Sequence, residues 1–164
     1  MVANKEEKPI MPVGDVFGTY TLQPKHDLSK FLTVFGDSPK DGAPIVQWAF
    51  EEGRSQQFDL QAVDGSVSVF ALSTGFPEQF LTVWDGSVDN FAQIILSDWE
   101  NGNNQKFRAE DASFTVGPIN NVHLRALHSG KFLDVFESST NNGAPIVQFD
   151  GHGGLNQRWL FDLQ

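Results

Sequence analysis

The residues of this chain best equipped for chemistry crowd into one stretch, Phe132 to Trp159, reading FLDVFESSTNNGAPIVQFDGHGGLNQRW. It holds an isolated carboxylate (Asp134), an aromatic (Phe149), a histidine inside a glycine-rich bend (His152) and two adjacent amides, Asn156 and Gln157. In a strand, neighbouring side chains point to opposite faces, so Leu133 and Val135 can turn to a core while Asp134 faces outward. A charged acceptor, amides and an aromatic face suit the non-covalent recognition of a small polar ligand. Catalysis is poorly served. Hydrolysis of a glycosidic bond usually needs two carboxylates about 5–10 Å apart, and the pattern gives Asp134 no clear partner, although Asp150 lies near in sequence. There is no nucleophile elbow, phosphate loop or metal-spaced histidine pair. His26, His123, His128 and His152 share no ligand spacing. The expectation is a protein that is not an enzyme and takes no metal or cofactor.

Two weaker copies of the same pattern lie upstream. FLTVFGDSPKDGAPIVQW begins at Phe31 and FLTVWDGSVDNFAQIILSDW at Phe80, and Gly-Ala-Pro-Ile-Val-Gln recurs letter for letter at 42–47 and 143–148. Gln56, Gln105 and Gln157, each two residues before an aromatic, are spaced by 49 and 52 residues. Phe31, Phe80 and Phe132, each opening a Phe-Leu-x-Val segment, keep the same spacing. The strand signals are short and alternating, as in Phe31–Phe35 and Ile45–Trp48, with β-branched and aromatic residues between turn residues. Asp41-Gly42 and Asn142-Gly143 carry the signature of tight hairpin turns. No window sustains a helical apolar stripe. The reading is all-β, with about four strands per repeat closing into a threefold assembly that leaves no sheet edge exposed.

The chain has 164 residues, enough for one substantial core, with 15 Phe and 4 Trp to fill it. Its formal charge of −10 argues against nucleic acid or an anionic membrane as partner. Without cysteine there is no disulfide framework. The first residues, MVANKEEKPIMPVG, are charged where a signal peptide needs an apolar run, and no later stretch is long enough to span a bilayer. A soluble protein is expected, cytoplasmic or secreted without a recognisable signal. Residues 1–16 read as a flexible tail and 17–164 as the folded domain, with repeats of about 17–63, 64–112 and 113–164.

The triple repeat with its Gln-x-aromatic endings resembles the ricin B-chain type lectins, whose fold is the β-trefoil. The third repeat carries the resemblance best, through Leu133-Asp134-Val135, Phe149 and Gly153-Gly154-Leu155-Asn156-Gln157-Arg158-Trp159. It implies a non-catalytic lectin for galactose- or N-acetylgalactosamine-type glycans. By the same resemblance Asp134 would be the bidentate acceptor, Phe149 the stacking platform and Asn156 the matching amide donor. Gln157 would brace the site, and His152 would reach the sugar's edge. Relatives often staple each repeat with a disulfide. The matching positions here are Phe31 and Phe50, Phe80 and Trp99, and Phe132 and Gly151, so aromatic contact is expected to replace the link in the first two repeats. Phe58, Phe107 and Trp159 are expected in the shared core.

The first repeat keeps an aromatic, Trp48, but has Thr33 for the acid and Ser55 for the amide; Thr33, Trp48 and Gln56 form at most a weak second site. The second keeps Asn104 but has Thr82 and Ser97 for acid and aromatic. In the third, Val147 stands where many relatives place a sugar-binding Gln, and Gln148 should point inward. A monosaccharide site of this kind reaches about millimolar affinity, which calls for multiplication by a homodimer or a fused partner. Two other readings stay open: a protein-binding trefoil such as a protease inhibitor, with 36–43 and 137–143 as its loops, or the targeting module of a toxin or hydrolase.

Overall fold

A computed structural model of the chain describes residues 13–76, 79–111 and 118–164. Short alternating apolar segments become strands, four to a repeat. The first repeat supplies β1 (Val13–Pro24), β2 (Lys30–Val34), β3 (Ile45–Ala49) and β4 (Phe58–Val63). The second supplies β5 (Val69–Thr74), β6 (Gln79–Val83), β7 (Ile94–Asp98) and β8 (Phe107–Glu110). The third supplies β9 (Ile119–Ala126), β10 (Phe132–Val135), β11 (Ile146–Phe149) and β12 (Trp159–Leu163). β1 thus begins at Val13, inside the segment expected to be tail, and pairs there with Val63 of β4. Residues 1–12 lie outside the described residues. No helix among the described residues is long and apolar enough to cross a membrane.

The outer strands of the three repeats pair antiparallel in a closed ring, β1–β4–β5–β8–β9–β12 and back to β1. Closure leaves none of these six strands with an open edge. The inner strands form three hairpins, β2–β3, β6–β7 and β10–β11. Single bridges join the hairpins to one another, Pro44 to Ile95, Val46 to Pro145 and Gln93 to Val147. This is a β-trefoil. The aromatics that end the Gln-x-aromatic motifs, Phe58, Phe107 and Trp159, are buried in the common core with Leu22, Leu72 and Phe161.

The hairpin connections differ from the tight turns expected. Each spans about ten residues and opens with a 3-10 turn; the closing turn carries a glycine in the first and third repeats and Phe91 in the second. Gly42 and Gly143 have φ +85°, whereas Asp41 and Asn142 do not enter the left-handed region. With Ala43 N–H donating to the Lys40 carbonyl at 3.0 Å, the turn is of type II, which needs a positive φ only at its third residue. The aromatic staples do form. Phe31 meets Phe50 with ring centroids 5.4 Å apart, and Phe80 meets Trp99 at 4.8 Å. In the third repeat Phe132 lies directly over Gly151, where a Cβ would come within 2.7 Å of its ring.

Candidate functional site

Asp134 sits in β10 between two core residues, and its carboxylate is turned away from the core. It is not at the surface, however: only 4% of the residue is exposed. Three side chains from the segment before β12 close over it. Asn156 Nδ2 donates to Oδ1 at 3.0 Å, Gln157 Nε2 donates to Oδ2 at 2.8 Å, and His152 Nε2 lies 3.2 Å from Oδ2. The histidine's tautomer follows from its other nitrogen. Gly154 N–H donates to His152 Nδ1 at 3.0 Å, so Nδ1 is the acceptor and Nε2 carries the proton given to Asp134. Burial nevertheless dominates, and it pushes the Asp134 carboxyl above its ordinary value of 3.8 despite these donors.

Both N–H groups of Asn156 are spent, one on Asp134 and one on the Val135 carbonyl at 3.0 Å. The donor expected from Asn156 is therefore used to orient the carboxylate. Oδ2 already accepts twice, and Oδ1 keeps the free lone pair. Gln157 braces from beneath, with Nε2 also donating to the Asp150 carbonyl at 2.9 Å and Oε1 accepting from His152 N–H at 3.2 Å. The same brace recurs at Gln56, which donates to Thr33 Oγ1 and the Ala49 carbonyl, and at Gln105, which donates to Thr82 Oγ1 and the Asp98 carbonyl. The glutamine is thus part of the fold, and the acid above it distinguishes the third repeat.

A cleft of about 190 Å³ opens over this network, lined by Asp134, Phe149, His152 and Asn156 together with Phe91, Glu137 and Ser138. Phe149, half-buried at the end of β11, forms one wall, and its ring stands edge-on to His152 at 5.9 Å. Four of the five expected site residues line the cleft, and Gln157 lies beneath it. Sequence reasoning missed Glu137 and Ser138, which reach the rim because both adopt φ +52° in the 3-10 turn after β10. It also missed Phe91, which comes from the second repeat and packs on Phe149 at 4.8 Å. Asp150 is no second carboxylate for Asp134. It pairs with Lys131 at 2.6 Å and accepts from Asn90 at 3.0 Å, hydrogen bonds that hold its carboxyl below the usual range.

In the first repeat Thr33 and Trp48 line a cleft of about 210 Å³ with Phe35, Asp37 and Glu51, while Gln56 stays beneath. Thr33 donates its hydroxyl to the Phe31 carbonyl and accepts from Gln56, so it offers little to a ligand. Gln148 is wholly buried, as expected, and donates to the carbonyls of Ser87 and Asp89 at 2.8 Å each. His26 and His128 are structural, each holding a backbone carbonyl of another repeat, that of Ser139 and of Ser87.

The geometry agrees with what known proteins show. The family described as ricin-type β-trefoil lectin domain-like matches three overlapping stretches, residues 12–97, 78–148 and 103–164. Comparison with curated protein sequences gave no match. Among solved structures, the designed threefold-symmetric protein ThreeFoil is 35% identical, with a TM-score of 0.76 over 89% of this chain and 99% of its own. An exo-β-1,3-galactanase from Clostridium thermocellum is 29% identical, with a TM-score of 0.78 over 94% of this chain; the chain spans 31% of that enzyme's length. A Macrolepiota procera ricin B-like lectin in complex with lactose shares the fold at 14% identity, with a TM-score of 0.71 over 92% of this chain and 99% of its own. With three trefoil repeats and a family match along nearly its whole length, the chain belongs to the ricin-type β-trefoil lectin family.

Proposed function

We propose that this protein is a non-catalytic lectin for galactose- or N-acetylgalactosamine-type glycans, and that it binds them mainly through the third repeat. The observation that carries the reading is the Asp134 carboxylate, buried, held by three donors and opening beside an aromatic wall. A sugar has hydroxyls that need partners and a ring face of C–H groups. Oδ1 of Asp134 accepts a hydroxyl in a charge-assisted bond, and Phe149 covers the apolar face. Glu137 and Ser138 on the rim supply further polar partners. Two hydroxyls reach the carboxylate together only when His152 gives up its place at Oδ2. A carboxylate bound this firmly is a fixed acceptor and is badly placed to shuttle protons, which favours binding over hydrolysis. The galactanase and the lactose complex support a galactose-type ligand.

The test is a glycan array with the native chain and with Asp134→Thr, which installs the residue that the other two repeats carry. Signals on terminal galactose or N-acetylgalactosamine should vanish in the variant. A surviving signal would move the site to Trp48, and silence from the native protein would sink the reading. The similarity to part of a galactanase favours a second reading, a targeting module for a larger hydrolase. On that reading the chain retards on a gel containing β-1,3-galactan.

A further inference from the structure

Among the described residues, Phe91 is the one aromatic on a left-handed backbone. Its φ is +69°, in the left-handed region that a bulky side chain avoids. The equivalent residues of the other hairpin connections are Gly42 and Gly143, so the fold needs only a glycine here. The strain is held in place from both sides. Phe91 N–H donates to the Gln148 carbonyl at 2.9 Å, and Gln148 N–H donates to the Ala92 carbonyl at 2.9 Å. Asn90 and Asp150 exchange two hydrogen bonds of 3.0 Å across the same boundary between repeats. Strain fixed so firmly is commonly found at functional positions.

What the strained backbone achieves is the placement of one ring. Phe91 projects from the second repeat onto Phe149 and Phe136, with centroids 4.8 and 5.4 Å away, yet stays 52% exposed. It lines the Asp134 cleft, and it also lines a neighbouring depression of about 440 Å³. That depression holds Trp84, 57% exposed, beside the polar side chains of Asp89 and Gln93. Phe91 is therefore the shared wall of two hollows, each pairing an exposed aromatic with groups that hydrogen-bond.

We propose that the two hollows form one groove across the repeat boundary, so that the protein recognises an oligosaccharide of two or more units and not a terminal sugar alone. The first unit sits on Asp134 and Phe149, the chain passes over Phe91, and a later unit stacks on Trp84. The proposal rests on the galactose-type reading of the third-repeat cleft.

The experiment titrates the native protein with galactose, β-linked galactobiose and galactotriose, by calorimetry and by iodide quenching of tryptophan fluorescence. Affinity should rise about tenfold from galactose to galactotriose, the order expected of one added aromatic contact. Galactotriose should protect a tryptophan from iodide where galactose does not. Trp84 lies outside the Asp134 cleft, so Trp84→Ala should bring galactotriose down to the affinity of galactose and leave galactose itself unchanged, and Phe91→Gly should weaken galactotriose more than galactose. Phe91→Gly should also melt at the same temperature or higher, because glycine relieves the strain. Equal affinity for all three sugars with unchanged quenching would overturn the groove while leaving the galactose reading intact. A lower melting temperature for Phe91→Gly with galactotriose affinity retained would make Phe91 a packing residue and overturn it too. If none of the three sugars binds, the underlying reading fails and the groove falls with it.

Discussion

In the first two repeats a threonine hydroxyl accepts the hydrogen bond of the bracing glutamine, and in the third an aspartate does the same task at the expense of a buried charge. The comparison isolates what the charge is for. Asp134 holds its proton more tightly in the folded chain than in the unfolded one, because burial raises its carboxyl above 3.8. A raised folded value means a contribution to stability that is fully present below that ordinary value and is lost as pH rises through the raised one. Asp134→Thr should therefore match or exceed the native stability at neutral pH and lose this part of the pH dependence. Asp134→Ala differs, because it leaves the Gln157 and Asn156 amides short of an acceptor; it should cost about 1–3 kcal/mol. On the proposed function sugar binding runs in the opposite direction, since the ionised form would be the acceptor. It should weaken as pH falls through the same window, before ordinary carboxylates protonate. Urea melts of the three proteins from pH 3 to 7, beside calorimetric titrations with galactose, check both signs.

At the scale of elements, the hairpins of the first two repeats are each tied to their repeat by a pair of rings, where the family resemblance places a covalent link. The Phe80–Trp99 pair is the stronger of the two, since Phe80 is 2% exposed and packs in its own cluster with Val63 and Ala71. Phe50, partner of Phe31, is 60% exposed. Phe80→Ala should cost about 3–5 kcal/mol, the usual range for a buried Phe, and Phe31→Ala less than half as much. Chemical denaturation of the two variants decides it; equal small losses would mean that the rings do not replace the link. These pairs were legible in the sequence because both partners lie in one repeat, at the spacing that relatives give to cysteine. The period, the strands and four lining residues of the cleft were legible for the same reason. Phe91 was not, because a residue of the second repeat enters the third-repeat cleft only through the packing of one hairpin against the next. Glu137 and Ser138 were hidden by a turn whose positive φ no residue type announced. The burial of Asp134 depends on how His152 folds back through a glycine-rich bend, which a strand's alternation does not describe.

At the scale of the molecule, threefold closure supplies three equivalent positions for a site, and the chain has equipped them unequally. The third has the carboxylate beside an aromatic wall. The first has an aromatic-walled cleft, but the Thr33 hydroxyl is committed to its own strand and to Gln56. The second carries Ser97 where an aromatic would stand, opposite Phe80 in the β6–β7 pair. A single site for one sugar unit is a weak device, about millimolar by the atom count of a monosaccharide. Equilibrium dialysis with labelled galactose should accordingly saturate at one sugar per chain. Two tethered copies should hold a galactose-coated surface about 10²–10⁴ times more tightly than one, because the second contact becomes intramolecular. A homodimer or a fused partner would supply the same gain in nature, and sedimentation of the untethered chain shows which starting valence applies. Saturation at two sugars per chain would put the Trp48 cleft to work, and the carboxylate that serves it would then be Glu51, which stands where the third repeat has His152.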